Sequence, residues 1–341
     1  MPIANIEQCC AMFDRAKEGR FAYPAINVSS LESLSGALEG FAEAESDGMV
    51  QISVGGGRHA SGGLKNQALG AEILAEAAHR LAEEYNVLIV LHTDHCHPKN
   101  LESFLDPLIE AGRRRIADGK CPLFNSHMFD GSELPLQENL EIAIKYQEIL
   151  SAMGMLLEVE TGVVGGEEDG HDTSGIGKEK LYTTPEDMLI VYERLYPLGR
   201  FMLAATFGNV HGVYKPGNVK LEPKILRDGQ AKVKEIHQTA DNPLDLVFHG
   251  GSGSSKDEIR ETIEYGVIKM NIDTDTQYAF TRPIVDHIMT HYEGVLKIED
   301  NVGDKKSYDP RCYLTKALGG MKKRVISATM DLRCAGNSIL K

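Results

Sequence analysis

The chain has 341 residues, 42% hydrophobic and 25% charged, an ordinary globular composition that is too long for one small domain. Its 36 basic and 50 acidic side chains leave a formal charge of −14, so nothing in the global charge draws it to nucleic acid or anionic lipid. Six cysteines (Cys9, Cys10, Cys96, Cys121, Cys312, Cys334) form no C-x-x-C pair, the N-terminus lacks a signal-peptide core, and no apolar stretch approaches bilayer length; a reducing cytoplasm is the expected location.

Eight short apolar runs recur in chain order: FAYPAIN (21–27), GMVQISV (48–54), NVLIVLH (86–92), LFNSHM (123–128), MLLEVE (155–160), FMLAAT (201–206), LDLVFH (244–249) and VIKMNI (267–272). Helix-like stretches lie between them. In AEILAEAAHRLAEEY (71–85), Ile73, Leu74, Ala77, Ala78 and Leu81 share one helical face. Such alternation predicts parallel strands joined by crossover helices. Eight units suit an α/β fold of the (β/α)8 TIM-barrel type better than an open doubly wound sheet, and no G-x-G-x-x-G fingerprint opens the first helix. After the eighth run, 273–292 reads as a helix, and 310–341 adds another helical stretch or two, packed on the barrel or on a neighbouring subunit. The expected organisation is one domain over 1–341, with the barrel at about 15–295 and a C-terminal helical extension at about 305–341.

In such a barrel, function gathers where strands end in their C-terminal loops. The third run ends in HTDHCH and the fifth in EVETG, followed by VVGGEEDG; FGNVHGVYKPGN, FHGGSGS and NIDTDT close the sixth, seventh and eighth. Zinc at a catalytic site takes about three protein ligands, often histidines. The candidates are His92, His95, His97, His211 and His249, and one from each of three strand ends gives His95 (or His92), His211 and His249. His97, beside Pro98, reads as a solvated neighbour. Strand alternation puts His92 and Asp94 on one face, so Asp94 and His95 both reach the mouth only if the backbone bends there. Glu158 and Glu160 also share a face; Glu160 reads either as a carboxylate at the metal or as an interior carboxylate satisfied by a lysine such as Lys269.

Phosphate binding is a second theme. HGGSGS (249–254) is a Gly/Ser turn before a helix starting near Lys256, and Asn271, Asp273 and Thr274 also precede a helix, so both places offer N–H groups to an anion. Capping by Ser254, or by Asp273 and Thr274, is the plainer reading and is compatible with it. The loop 163–170 reads either as a solvated acidic turn or, more sharply, as a hinged segment carrying a general base; it lacks the alternating ligands of an EF-hand.

HTDHC (92–96), GGEEDG (165–170), FGNVHGVYKPGN (207–218), FHGGSGS (248–254), NIDTDTQYAF (271–280) and YDPR (308–311) together resemble the class II fructose-bisphosphate aldolases, over nearly the whole chain from PAIN (24–27) onward. The resemblance implies reversible aldol cleavage of fructose 1,6-bisphosphate to dihydroxyacetone phosphate and glyceraldehyde 3-phosphate, in glycolysis and gluconeogenesis, with zinc as the Lewis acid that stabilises the enediolate. It implies zinc ligands at His95, His211 and His249, with the Glu160 carboxylate close to the metal. Asp94 matches the acid/base at the C4 hydroxyl, and Glu168 the residue that moves a proton at the carbon adjoining the ketone. Gly212, Gly250, Ser252, Asn271, Asp273 and Thr274 match the cradle for one phosphate end, close to a monovalent cation, sodium or potassium. Asn27 and Ser53 match substrate contacts, and Arg311 the arginine that holds the other phosphate across a subunit interface, which implies a homodimer or homotetramer.

The sequence departs from the family pattern at Val54, where a polar residue is expected, and over 171–180. Three rival readings stand beside this one. They are a tagatose-bisphosphate aldolase, a Schiff-base aldolase using Lys215 or Lys269, and a barrel that binds sugar phosphates without catalysis.

Overall fold

The computed structural model describes residues 2–162, 165–168, 171–172, 182–211, 221–251, 254–296 and 303–341, with the backbone path alone at 165–168, 171–172 and 210–211. Eleven strands occur among them: β1 (Tyr23–Asn27), β2 (Gly48–Ser53), β3 (Ile89–Cys96), β4 (Ser126–Phe129), β5 (Leu156–Thr161), β6 (Gly165–Glu168), β7 (His171–Asp172), β8 (Phe201–Ala205), β9 (Val210–His211), β10 (Asp245–Phe248) and β11 (Val267–Ile272). Eight close into a parallel barrel in the order β1-β11-β10-β8-β5-β4-β3-β2, and each of these overlaps one of the eight apolar runs. Nearly every residue of these strands is buried, as a parallel sheet covered by helices requires. The expected (β/α)8 barrel is therefore the fold.

The helices in chain order are α1 (Ile6–Gly19), α2 (Leu31–Glu43), α3 (Val54–Ala60), α4 (Gln67–Ala82), α5 (Asp106–Ala117), α6 (Leu136–Ala152), α7 (Pro185–Leu195), α8 (Lys224–His237), α9 (Lys256–Glu264), α10 (Thr274–Thr290), α11 (Tyr292–Val295), α12 (Lys305–Tyr308) and α13 (Pro310–Asp331). Side-chain caps set several starts: Asn5, Ser30, Thr184 and Ser255 each make a reciprocal capping box with the residue three positions on. No helix among the described residues is long and apolar enough to cross a membrane.

The C-terminal helix packs on its own barrel. Gly36 and Gly40 on α2 let α13 approach so closely that a Cβ added at Gly40 would lie 2.6 Å from Val325 Cβ. Past α13, Asp47 holds the tail: its carboxylate accepts from Ile339 N, Ser338 Oγ and Leu88 N, each at 2.7 Å. Ala22 N also donates to Leu332 O at 3.1 Å. Asp47, Leu88 and Ala22 precede β2, β3 and β1, so the chain ends at the face opposite the strand C-termini. Met321 and Val325 lie against Gly36 and Gly40 respectively, so α13 runs alongside α2 in the same direction. Arg311, ten residues before Met321, stands about 15 Å nearer the mouth.

Candidate active site

The strand β3 carries the HTDHC segment within itself rather than after it. It pairs with β2 through Gln51↔His92 and Ser53↔Asp94, then its register against β4 shifts between Thr93 and Cys96. At the shift His95 takes a left-handed φ of 34°. A non-glycine residue accepts that conformation at a cost of about 1–2 kcal/mol. The bend is the one the sequence demanded: alternation is broken, and Asp94 and His95 both reach the mouth.

Asp94 is fully buried and pinned from two sides. Its Oδ2 accepts from Asn27 Nδ2 at 2.8 Å and its Oδ1 from Asn271 Nδ2 at 3.0 Å. Gln51 Nε2 donates to Asn27 Oδ1 at 2.5 Å, which fixes which end of the Asn27 amide faces the carboxylate. Two amide donors thus aim an acceptor-only carboxylate into the mouth.

Beside it, His95, Glu160 and His249 each present a ligand atom within 4.8 Å of the others, all three buried. His95 Nδ1 lies 2.9 Å from Asp130 Oδ2 and 3.5 Å from Glu160 Oε2; His249 Nδ1 lies 3.3 Å from that same Glu160 oxygen. The two imidazole centroids are 4.7 Å apart, edge to face. Burial lowers the His249 imidazole, yet Glu160 and Glu158 outweigh burial and raise it to about 9. Burial, and then Asp130, push the Glu160 carboxyl up. Burial also works against an ionised Asp130, but its contacts with His95 win and hold it well below the usual carboxylate range. Carboxylates crowd this spot and draw a proton onto His249. A divalent cation answers the same surplus of negative charge, and two imidazoles with a carboxylate are a donor set that suits zinc.

Glu158 takes the interior role foreseen as the alternative for its neighbour. Its Oε2 accepts from Lys269 Nζ at 2.7 Å, and its Oε1 lies 2.8 Å from His249 Nε2. Burial opposes its charge, but Lys269, His92 and His249 hold the carboxyl below its ordinary range. His92, 3.3 Å from Glu158 and bonded to Ser126 Oγ at 2.7 Å, sits in the barrel interior, so His95 and not His92 joins the cluster. His97 is half-buried rather than solvated, with Nδ1 3.4 Å from Asp130.

Other predicted residues divide. Asn27, Ser53 and Asp273 line a cavity of about 360 Å³ together with Ser29, His59 and Gln277. Gly250 has φ +63°, a turn that favours glycine. Gly212 and Ser252 lie outside the described residues, as do the side chains of His211 and Glu168. The strands that carry the last two are paired: β6 pairs with β9 through Gly166↔His211, and β7 folds back on β6 through Glu168↔His171. Part of the segment read as a hinged loop is thus a strand, tied to the one that ends in His211.

The capping expectation is corrected at both turns. Ser255, not Ser254, caps α9, and Ser254 Oγ is buried without a hydrogen bond among the described residues. Asp273 and Thr274 do not cap α10 by a side-chain bond; Asp273 Oδ2 accepts from Gln277 Nε2 at 2.9 Å. Arg311 is 84% exposed and bonded to Asp309 at 2.6 Å, outside the cluster of its own chain. Asp130 and Gln51 escaped the sequence reading. For Asp130 a signal existed, since FDGS directly follows the fourth apolar run as the other polar turns follow theirs.

Residues 7–337 match the family described as class II fructose-bisphosphate aldolase. The chain belongs to that family. It is 53% identical to the fructose-bisphosphate aldolase of Mycobacterium leprae over 99% of both chains, and 52% identical to that of Corynebacterium glutamicum over the full length of both. The crystal structure of the fructose-bisphosphate aldolase from Campylobacter jejuni superposes with a TM-score of 0.88 at 40% identity, covering 98% of this chain and 97% of that one. This chain is accordingly an enzyme, a class II aldolase of the lyase class acting on phosphorylated sugars.

Proposed function

We propose that the enzyme cleaves fructose 1,6-bisphosphate reversibly between C3 and C4, in glycolysis and gluconeogenesis, with zinc held by His95, His211 and His249 and Glu160 close by. The observation that carries this reading is the buried His95–Glu160–His249 cluster beside the doubly pinned Asp94. Bound zinc supplies Lewis-acid stabilisation of negative charge at the ketone oxygen. Asp94 takes the C4 hydroxyl proton, its lone pairs aimed by Asn27 and Asn271. Glu168 returns a proton to the carbon adjoining the ketone, a reading supported by the pairing of its strand with the one that ends in His211.

Gly212, Gly250, Ser252, Asn271, Asp273 and Thr274 cradle the ketone-side phosphate, with a sodium or potassium ion nearby. Asn27 and Ser53 contact the sugar from their cavity. Arg311 holds the far phosphate of a neighbouring subunit's substrate in a homodimer or homotetramer; its exposure in this chain supports an action in trans. Six unpaired cysteines suit a cytoplasmic enzyme. A Schiff base at Lys269 finds no support, because its ammonium is fully buried and bonded to Glu158.

The test is a coupled assay on fructose and tagatose 1,6-bisphosphates, before and after chelation and zinc addition. Turnover of the fructose substrate that chelator abolishes and zinc restores is expected. Activity that survives chelation and is trapped by borohydride would overturn the metal reading, and a preference for the tagatose substrate would replace the sugar.

A further inference from the structure

Barrel interiors are ordinarily packed with branched apolar side chains. Here the layer one step further from the mouth than the metal cluster holds His92, Glu158 and Lys269, each fully buried. A buried ion pair is commonly no more stabilising than apolar residues of the same volume, so packing alone gives no reason for it. The geometry supplies one. Lysine is a donor without acceptor capacity, and Lys269 Nζ occupies Glu158 Oε2 at 2.7 Å. The other carboxylate oxygen, Oε1, lies 2.8 Å from His249 Nε2. A carboxylate accepts and does not donate, so the imidazole nitrogen facing it carries the hydrogen. His249 then turns Nδ1 to the cluster, where it lies 3.3 Å from Glu160 Oε2.

We propose that Glu158, anchored by Lys269, is a positioning residue that fixes the ring orientation and Nε2–H tautomer of His249, so that Nδ1 is the atom presented to the metal. The inference rests on the reading of the His95–Glu160–His249 cluster as a metal site. It makes a specific statement about Glu158→Gln. Lys269 still demands an acceptor, so the amide oxygen stays on the lysine and the amide NH2 faces His249 Nε2. That nitrogen must now accept, and the ring hydrogen moves to Nδ1, the face the metal needs. Removing Lys269 as well frees the amide to turn its oxygen to His249.

The experiment is zinc affinity by titration against a competing chelator, with the melting temperature of each metal-free chain as a control on folding. Glu158→Gln is expected to bind zinc about 10–100-fold more weakly, the range for partners that orient a ligating histidine. The double variant Glu158→Gln/Lys269→Met is expected to recover several-fold. Unchanged affinity in the single variant overturns the proposal, and so does a double variant as weak as the single one, since lost packing would not be rescued by a second core substitution. Should the single variant fail to fold, nitrogen-15 spectra of histidine-labelled, zinc-loaded wild type decide: a protonated Nε2 on His249 supports the proposal and a protonated Nδ1 overturns it. A wild-type chain that binds no zinc in the same titration removes the metal reading itself, a failure distinct from a wild type and Glu158→Gln that bind equally.

Discussion

His95 Nδ1 and His249 Nδ1 face one oxygen of Glu160 from the ends of two different strands; His95 Nδ1 also meets Asp130, and Glu158 braces the far nitrogen of His249. Removing His249 takes away a proposed zinc ligand and leaves Glu158 Oε1 without its imidazole partner. His249→Ala is expected to lower kcat/KM by on the order of 10³-fold and to reduce bound zinc, read together by the coupled assay and by metal analysis. A second residue reports on stability rather than catalysis. His127 is fully buried, bonded to Thr93 Oγ1 at 2.9 Å, and burial lowers its pKa to about 3. The sign follows: below about 6.5 the unfolded chain takes up a proton that folded His127 refuses, so stability is intact above 6.5 and lost as pH falls towards 3. The loss from this one group is about 1.4 kcal/mol per pH unit within that window. Denaturant titrations at several pH values should show a shallower acid limb in His127→Phe than in wild type, and parallel limbs would remove His127 from the account.

At the scale of elements, hydrophobic period made the eight strands legible, because burial on both faces leaves nearly continuous apolar runs. What stayed hidden was where a strand stops. The third apolar run stops at His92, yet the barrel keeps the polar residues that follow paired through Asp94 and closes on Cys96 after the left-handed bend at His95. Helix α3 was hidden by its glycines: VGGGRHA has poor intrinsic helix propensity, and the Ser53 cap, which accepts from Gly56 N at 3.1 Å, with packing on α4 makes it a helix. The Asp47 clamp was equally invisible, since it joins residues nearly three hundred positions apart. Asp47→Asn would set an amide NH2 against Ile339 N–H or against the Leu88 and Ser338 donors, whichever way it turns. A loss of about 1–3 kcal/mol is expected, with earlier release of the terminal residues by carboxypeptidase. On the neighbouring surface, Gly40→Ala would force its new Cβ into Val325 and lower stability by about 1–3 kcal/mol in the same denaturant assay.

For the whole molecule, the proposed action of Arg311 on a neighbouring subunit's substrate predicts complementation. Helix α13 parallels α2 and carries Arg311 towards the mouth end, where the side chain is exposed and engaged with Asp309. If each chain completes a neighbour's site, two inactive variants can repair each other. Arg311→Ala keeps an intact cluster but offers no arginine, while His249→Ala lacks the cluster ligand and still offers Arg311. In a mixed dimer the intact cluster faces the intact arginine at one of two sites. Random reassociation of equal amounts makes half the dimers mixed, so about a quarter of wild-type activity should return on mixing after dissociation, from two preparations that are each nearly inactive. An arginine that serves its own chain would leave the mixture as inactive as its parts, because no subunit would then hold both groups.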